Sequence, residues 1–533
     1  MVDRKGRTLG RLRRDMGLFS ATAVVVGTCV GAGIFITPSI VFMDAGSVGV
    51  DLLVWIAAGI ASFIRDRLGR LRRDMGLFSA TAVVVGNCVG AGIFITPSIV
   101  FMDAGSVGAD LLVWIAAGIA SFIHGLCIAE LGTMLPSAGG PYEFVSVGAK
   151  SLGKLGDVLP FLFAWSFVLL DPAAVAIHGL AFTSYALSLV YGSCTPPHAV
   201  TALLTVVVIE LSAAVNSFSL KTSMKVQNVL FVVKIAILLA IIVTGAICSL
   251  REPALLTKFS FNGHTTPGKL VEAFAVASFT GAGSAMVACM AEEMSDPSRT
   301  IPRSLLGGLF LVTVLLVLTN VAYFVVLDLD SVMASEATAV AFARATWGTA
   351  GVYLVPAIVC VCAFGTMSSS FLSHSRLLMA AARKRHLPWA FSLITMNSSL
   401  PIVAIASRCC LAILFAVTGS VGLLVKGGMT VLSLMTIMVM LAMLRLRVTM
   451  KDAERPIRVP TWLVFADIAI SLVVVLVPVL AATQVSQYAI ALGCVLAGFP
   501  AYVALKAAQR SKFGTSMNRF LQRLMLSVPC VHR

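Results

Sequence analysis

Apolar runs long enough to cross about 30 Å of hydrocarbon, roughly 20 residues each, recur along the whole chain. They occupy 77–101, 108–129, 158–190, 199–215, 226–248, 270–291, 304–327, 351–382, 401–418, 421–444, 461–483 and 486–505. Only helices and closed barrels satisfy their backbone in lipid, and runs of this length fit helices. The pattern therefore predicts an all-α multi-pass membrane protein of roughly twelve spans, before counting an extra apolar segment near the N-terminus.

Composition sharpens this picture. Of 533 residues 59% are hydrophobic and 12% charged, too apolar a balance for water to be the main solvent. A net charge of +15 suggests nucleic acid at first sight. The basic residues instead sit in short connectors: Arg11-Arg13-Arg14, Arg70-Arg72-Arg73, Lys221/Lys225, Arg299/Arg303, Arg383-Lys384-Arg385 and Arg445/Arg447/Lys451. These connectors alternate with ones poor in Lys and Arg, such as 191–199 and 328–350, as the positive-inside rule requires. Both termini are therefore expected in the cytoplasm, the lipid bilayer is the partner of the apolar faces, and no nucleic acid is. The twelve cysteines form no CxxC pair and no His/Cys metal spacing, so no metal or cofactor is expected. Cys194 stands apart, in the connector Tyr191-Gly-Ser-Cys-Thr-Pro-Pro-His198 that this topology places outside, where a disulfide persists and a free thiol is equally compatible.

Residues 9–64 recur almost verbatim as 68–123, differing at Thr28 against Asn87 and Val50 against Ala109. Repeats that build a fold diverge, because their environments differ; here even the basic run LGRLRRDMG is unchanged. Only the second copy continues into a complete next helix, through His124 to Glu130. The expected organisation is 1–67, a cytoplasmic N-terminus with the duplicate; 68–447, a ten-helix core; 448–505, a cytoplasmic loop and two further helices; and 506–533, a cytoplasmic tail.

Two helix breakers mark a candidate site. Gly86 and Gly90-Ala91-Gly92 interrupt the first complete span, and Gly281-Ala282-Gly283 the sixth. Close packing through small residues is one reading. The other rests on position: the breaks fall in the first spans of two successive five-span blocks, 77–248 and 270–444, the arrangement of inverted-repeat transporters that bind at the midplane. Free amides at Gly90, Ala91, Gly92 and Ile93 would open a half-helix whose dipole holds a carboxylate. Free carbonyls around Gly86 and around Ser278-Phe279-Thr280 would accept from an ammonium group, so a zwitterionic α-amino acid fits without any charged side chain.

Two ionisable residues lie within apolar runs, where they are costly and usually functional. Lys234, in VLFVVKIAILLA, is expected to replace a bound sodium ion or to exchange a proton, with snorkelling to an interface as the alternative. Asp171, just before Pro172, either tunes substrate charge or caps a kink. Glu210, near the end of its run, reads as structural.

The segments GNCVGAGIFITP (86–97), AELGTMLPSAGGPYEF (129–144), PAAVAIHGLAF (172–182), EEMSDPSRTIPRSL (292–305), NVAYF (320–324), SRLLMAAARKRHLP (375–388) and ERPIRVP (454–460) together resemble the light subunits of the heteromeric amino acid transporters. These are L-type carriers within the amino acid–polyamine–organocation superfamily, and the resemblance runs from Arg73 to Pro529. It implies a LeuT-type fold: a five-plus-five inverted repeat plus two C-terminal helices. It implies sodium-independent exchange of L-amino acids, neutral alone or neutral and cationic, at the plasma membrane. By the same resemblance Cys194 is the cysteine that joins a type II membrane glycoprotein heavy chain, Lys234 the fifth-helix substitute for sodium, and Phe279 the aromatic gate over the substrate. Asp171 stands where some light subunits that also handle cationic substrates carry an acid. The usual GSG is GAG here, losing a hydroxyl at Ala91, and Ser284 and Ala282 stand where relatives carry an aromatic or an acid, so the pocket is expected to be roomier and uncharged. A channel, or a carrier of other small amines or polyamines, is the competing reading. No repeated pore loop supports a channel, and no HExxH or Walker pattern supports an enzyme.

Overall fold

The computed structural model describes residues 74–90, 92–153, 155–191, 194, 196–252, 260–261, 265–334, 338–395, 400–418, 421–481, 485–510 and 527–529. The first copy of the repeat and Ala91 lie outside the described residues.

Among the described residues every apolar run becomes helix. The first is split into α1 (Leu77–Cys88) and α2 (Gly92–Ala104). Then follow α3 (Val107–Met134), α4 (Pro141–Ala149), α5 (Leu155–Tyr191), α6 (His198–Phe218) and α7 (Leu220–Arg251). The sixth span is α8 (Pro267–Ser278), continued by the 3-10 segments Phe279–Gly281 and Ser284–Glu293. Next come α9 (Pro297–Val326), α10 (Leu329–Ala334), α11 (Thr338–Arg383), α12 (Ile402–Thr418) and α13 (Val421–Thr449). The chain ends in α14 (Thr461–Ala481), α15 (Val485–Leu496) and α16 (Gly498–Arg510). Among the described residues nine helical segments are long and apolar enough to cross a membrane, and three shorter apolar helices fill the remaining runs. The protein is a helical multi-pass membrane protein of the LeuT type.

Local chemistry sets the helix starts. Ser106, Ser219, Thr266 and Asp296 each take up a backbone N–H three residues on, in the first turns of α3, α7, α8 and α9. Pro267 and Pro297 follow two of these caps, where a missing N–H costs nothing. α3 runs uninterrupted past the end of the second repeat copy to Met134.

In lipid both faces of a helix are apolar, so what turns inward is marked by polar and small residues. α7 illustrates this. Gln227, Phe231, Lys234, Leu238, Ile241 and Gly245 recur at steps of three and four and are buried, while Val229, Val232, Leu239 and Val243 are exposed. Gly245 brings the backbone of α7 close to α9: a Cβ there would meet that of Ala322 at 2.5 Å. α11 lies along α5, and α9 along α1 and α3. Gly348 bends α11 near its start with φ +59°, a backbone region that favours glycine.

One end of the bundle is clamped by charge. Met75 N–H donates to the Glu293 carbonyl (3.0 Å) and Ser295 N–H to the Met75 carbonyl (3.2 Å), tying the start of the first span to the end of the sixth. Arg376 of α11 pairs with Glu293 (3.0 Å) with both side chains sealed from solvent. Arg383 pairs with Glu292 (3.0 Å), Lys384 with Glu143 of α4 (2.6 Å), and Arg447 of α13 with Glu130 of α3 (2.6 Å). Leu393–Thr395 and Ser527–Pro529 form a small antiparallel ribbon.

Candidate functional site

The first span leaves the helix where its glycines cluster. Val89 has φ −88° and ψ 84°, and α2 starts at Gly92. Opening a backbone in a membrane strands carbonyls, and Lys234 takes them up. Its Nζ, fully buried, donates to the carbonyls of Gly86 (3.1 Å) and Val89 (2.5 Å) and to Thr366 Oγ1 of α11 (3.0 Å). An ammonium has three hydrogens, and all three are used. Thr366 in turn donates to the Val89 carbonyl (3.0 Å). Gly365 makes room for this: a Cβ on it would stand 2.7 Å from Lys234 Cε.

The sixth span behaves differently from the expectation of an open backbone. Ala282 (φ −61°, ψ −35°) and Gly283 (φ −76°, ψ −9°) stay right-handed, and the span tightens from α into 3-10 geometry. Bonds to the third residue back keep the backbone satisfied: Ala282 N–H donates to the Phe279 carbonyl (3.2 Å) and Met286 N–H to the Gly283 carbonyl (3.3 Å).

A cavity of about 120 Å³ lies between these two spans and α5, α11 and α13. Gly90, Gly92 and Ile93 line it from the first span, and Phe279, Thr280 and Gly283 from the sixth, with Asp171 on α5. The sequence-predicted residues separate here. Gly86 turns instead to Lys234 and Gln227, where a Cβ would sit 1.8 Å from Gln227 Nε2. Ser278 and Gly281 line a second cavity, of about 110 Å³, with Ser121, His124 and Asp467. His124 Nδ1 and Asp467 Oδ2 are 2.9 Å apart there.

The glycines are small for different reasons. A Cβ on Gly92 would meet only Thr96 Cγ2, at 3.8 Å, so it faces open space. One on Gly283 would press on Asn87, 2.8 Å from its Cβ and 3.1 Å from its carbonyl oxygen. Asn87, one of the two positions at which the repeat copies differ, also lines the cavity and donates to Ser373 Oγ (3.2 Å).

Asp171 is buried and fully engaged. Arg408 of α12 donates through Nε to its Oδ2, and His374 Nδ1 bonds its Oδ1. Arg408 also donates to the Ser370 carbonyl (3.1 Å) and to Ser370 Oγ (2.7 Å), and lies 4.8 Å over the Phe371 ring. The cavity wall thus carries a compensated pair, not a bare carboxylate. His374, Thr366 and His178 line the cavity and Arg408 backs it through Asp171; sequence reasoning missed all four. Arg408 sits within the run 401–418 and was open to the argument applied to Lys234. Cys194 is exposed and free, between α5 and α6.

The cavity thus lies at the start of α2, between a span that breaks and one that tightens. The chain is 30% identical over 464 residues to the b(0,+)-type amino acid transporter 1 of Mus musculus, covering 86% of this chain and 94% of the relative. The human protein of that name is 29% identical over the same shares. The large neutral amino acids transporter small subunit 2 of Mus musculus is 33% identical over 361 residues, 67% of each chain. The sequence model of the amino acid permease family matches residues 75–500, from just before α1 into α16, and the chain belongs to that family.

Proposed function

We propose that this chain exchanges neutral L-amino acids across the plasma membrane without sodium. The observation that carries the reading is Lys234: a fixed ammonium holds the opened carbonyls of the first span, where a carrier driven by sodium would need the ion. The substrate carboxylate sits at the start of α2, near Gly92 and Ile93, and Phe279 and Thr280 close over it from the sixth span. Asp171 shapes the wall but lends no net charge, because Arg408 and His374 occupy its oxygens, which favours neutral over cationic substrates. Similarity to proteins named transporter small subunits supports a heavy-chain partner, a type II glycoprotein bonded through Cys194. In this reading both termini and the charge-clamped end face the cytoplasm, residues 68–447 form the transport core, and residues 9–67 are dispensable.

Proteoliposomes preloaded with leucine should take up labelled leucine several-fold faster than empty ones, equally in sodium and choline buffers. Sodium-dependent uptake with no acceleration by internal substrate would overturn the reading. In cells expressing a heavy chain, a non-reducing gel should show one large band that reduction or Cys194→Ser collapses, and a 9–67 deletion should transport normally.

A further inference from the structure

The break in the first span raises a question of supply: which acceptor receives the substrate's ammonium group? Four carbonyls at the break already hold donors. That of Val85 accepts from Val89 N–H (2.8 Å) and that of Cys88 from Gly90 N–H (3.2 Å). Those of Gly86 and Val89 accept from Lys234. On the facing wall, His178 of α5 lines the same cavity. Its Nδ1–H donates to the Ala174 carbonyl one turn back (2.7 Å), which leaves the Nε2 lone pair free. Among the described residues no other hydrogen bond engages this ring. Nε2 is aimed at the break: a Cβ built on Gly90 would stand 2.5 Å from it and 3.2 Å from Thr366 Oγ1. The absent side chain at position 90 therefore leaves this nitrogen open to whatever the cavity holds.

We propose that His178 Nε2 accepts a hydrogen bond from the substrate's α-ammonium group and so makes the site select α-amino acids over their α-hydroxy counterparts. The inference rests on the reading of this cavity as the substrate site. A neutral imidazole is a stronger acceptor than an amide carbonyl and bears no charge to oppose a zwitterion. It adds a side-chain acceptor beside backbone oxygens that Lys234 has in part withdrawn.

The test uses the full chain in proteoliposomes and a matched pair of competitors, L-phenylalanine and L-3-phenyllactate, against labelled leucine. A charged hydrogen bond of this kind is worth about tenfold or more in affinity. His178→Phe should weaken L-phenylalanine by about that factor and phenyllactate, whose hydroxyl makes only a neutral hydrogen bond, by less, and so shrink the ratio between them, while His178→Gln, which keeps an acceptor, should restore most of it. His178→Leu serves as a second apolar variant should the first not reach the membrane. Equal weakening of both competitors, or an unchanged ratio, overturns the proposal. Gly92→Leu is run alongside: if it transports normally, the cavity is not the substrate site and both readings fall. If it abolishes uptake while the His178 ratio stays unchanged, only the role of His178 does.

Discussion

The first and sixth spans carry the same tripeptide, Gly-Ala-Gly, yet their backbones part ways. At 90–92 the chain has left the helix by Val89; at 281–283 it stays right-handed and only tightens. Glycine alone does not decide this. The first break has a partner: Lys234 and Thr366 replace the hydrogen bonds that unwinding removes. At the sixth break, among the described residues, no buried cation takes up the backbone, and the carbonyls of Phe279 and Gly283 fall back on donors three residues along their own strand of chain. A weak helix former permits an opening, and a donor from another helix holds it.

The contrast breaks most completely at Lys234. Lys234→Met keeps the length of the side chain and removes the donors, which leaves the Gly86 carbonyl without its ammonium partner in lipid. Uptake should fall below about one-hundredth of wild type, since each charge-assisted bond is worth roughly 1.5–3 kcal/mol. Retained transport at a tenth or more of normal would mean that the break holds itself open.

Gly92→Leu ranks next, and it separates substrate space from packing. Since the protein leaves that position open, the variant should fold and reach the surface yet fail to transport. Gly283→Ala should instead lose thermal stability, because its new methyl meets Asn87, with a smaller loss of transport. Reversed outcomes, an unstable Gly92→Leu and a stable but silent Gly283→Ala, would place the substrate against the sixth span.

The smallest effect belongs to Gly281, which packs on α3 away from the substrate. A Cβ there would stand 2.2 Å from Ser121 Oγ. Gly281→Ala should cost about 1–3 kcal/mol, the usual penalty of overpacking, and Ser121→Gly should recover most of it in a double-mutant cycle read by thermal unfolding. Additive losses would rule out that contact.

Much of this was legible in the chain. Span positions follow from the length of apolar runs, a strong signal because lipid allows the backbone few alternatives. The GAG pair and Lys234 were visible as a weak helix former and a charge where neither is cheap. The fate of the sixth break was not, because its hydrogen bonds to near neighbours in sequence leave no compositional trace. Nor was the compensation of Asp171: its arginine lies 237 positions away on α12, and only folding brings them together. The hydroxyl cluster Thr366, Ser368, Ser369, Ser370 and Ser373 was a signal passed over. Its members reach the first span, α5 and α6 through Val89, Val83, Asp171 and Asn216.

Gly365 has a meaning beyond its own position. The stem of Lys234 occupies the volume its side chain would fill. The two sites are therefore bound in inheritance: while the lysine stays, any larger residue at 365 is selected against, and a lineage that gave up the lysine would free 365 to drift. Reading the two columns together in an alignment of descendants would reveal that dependence without a transport assay.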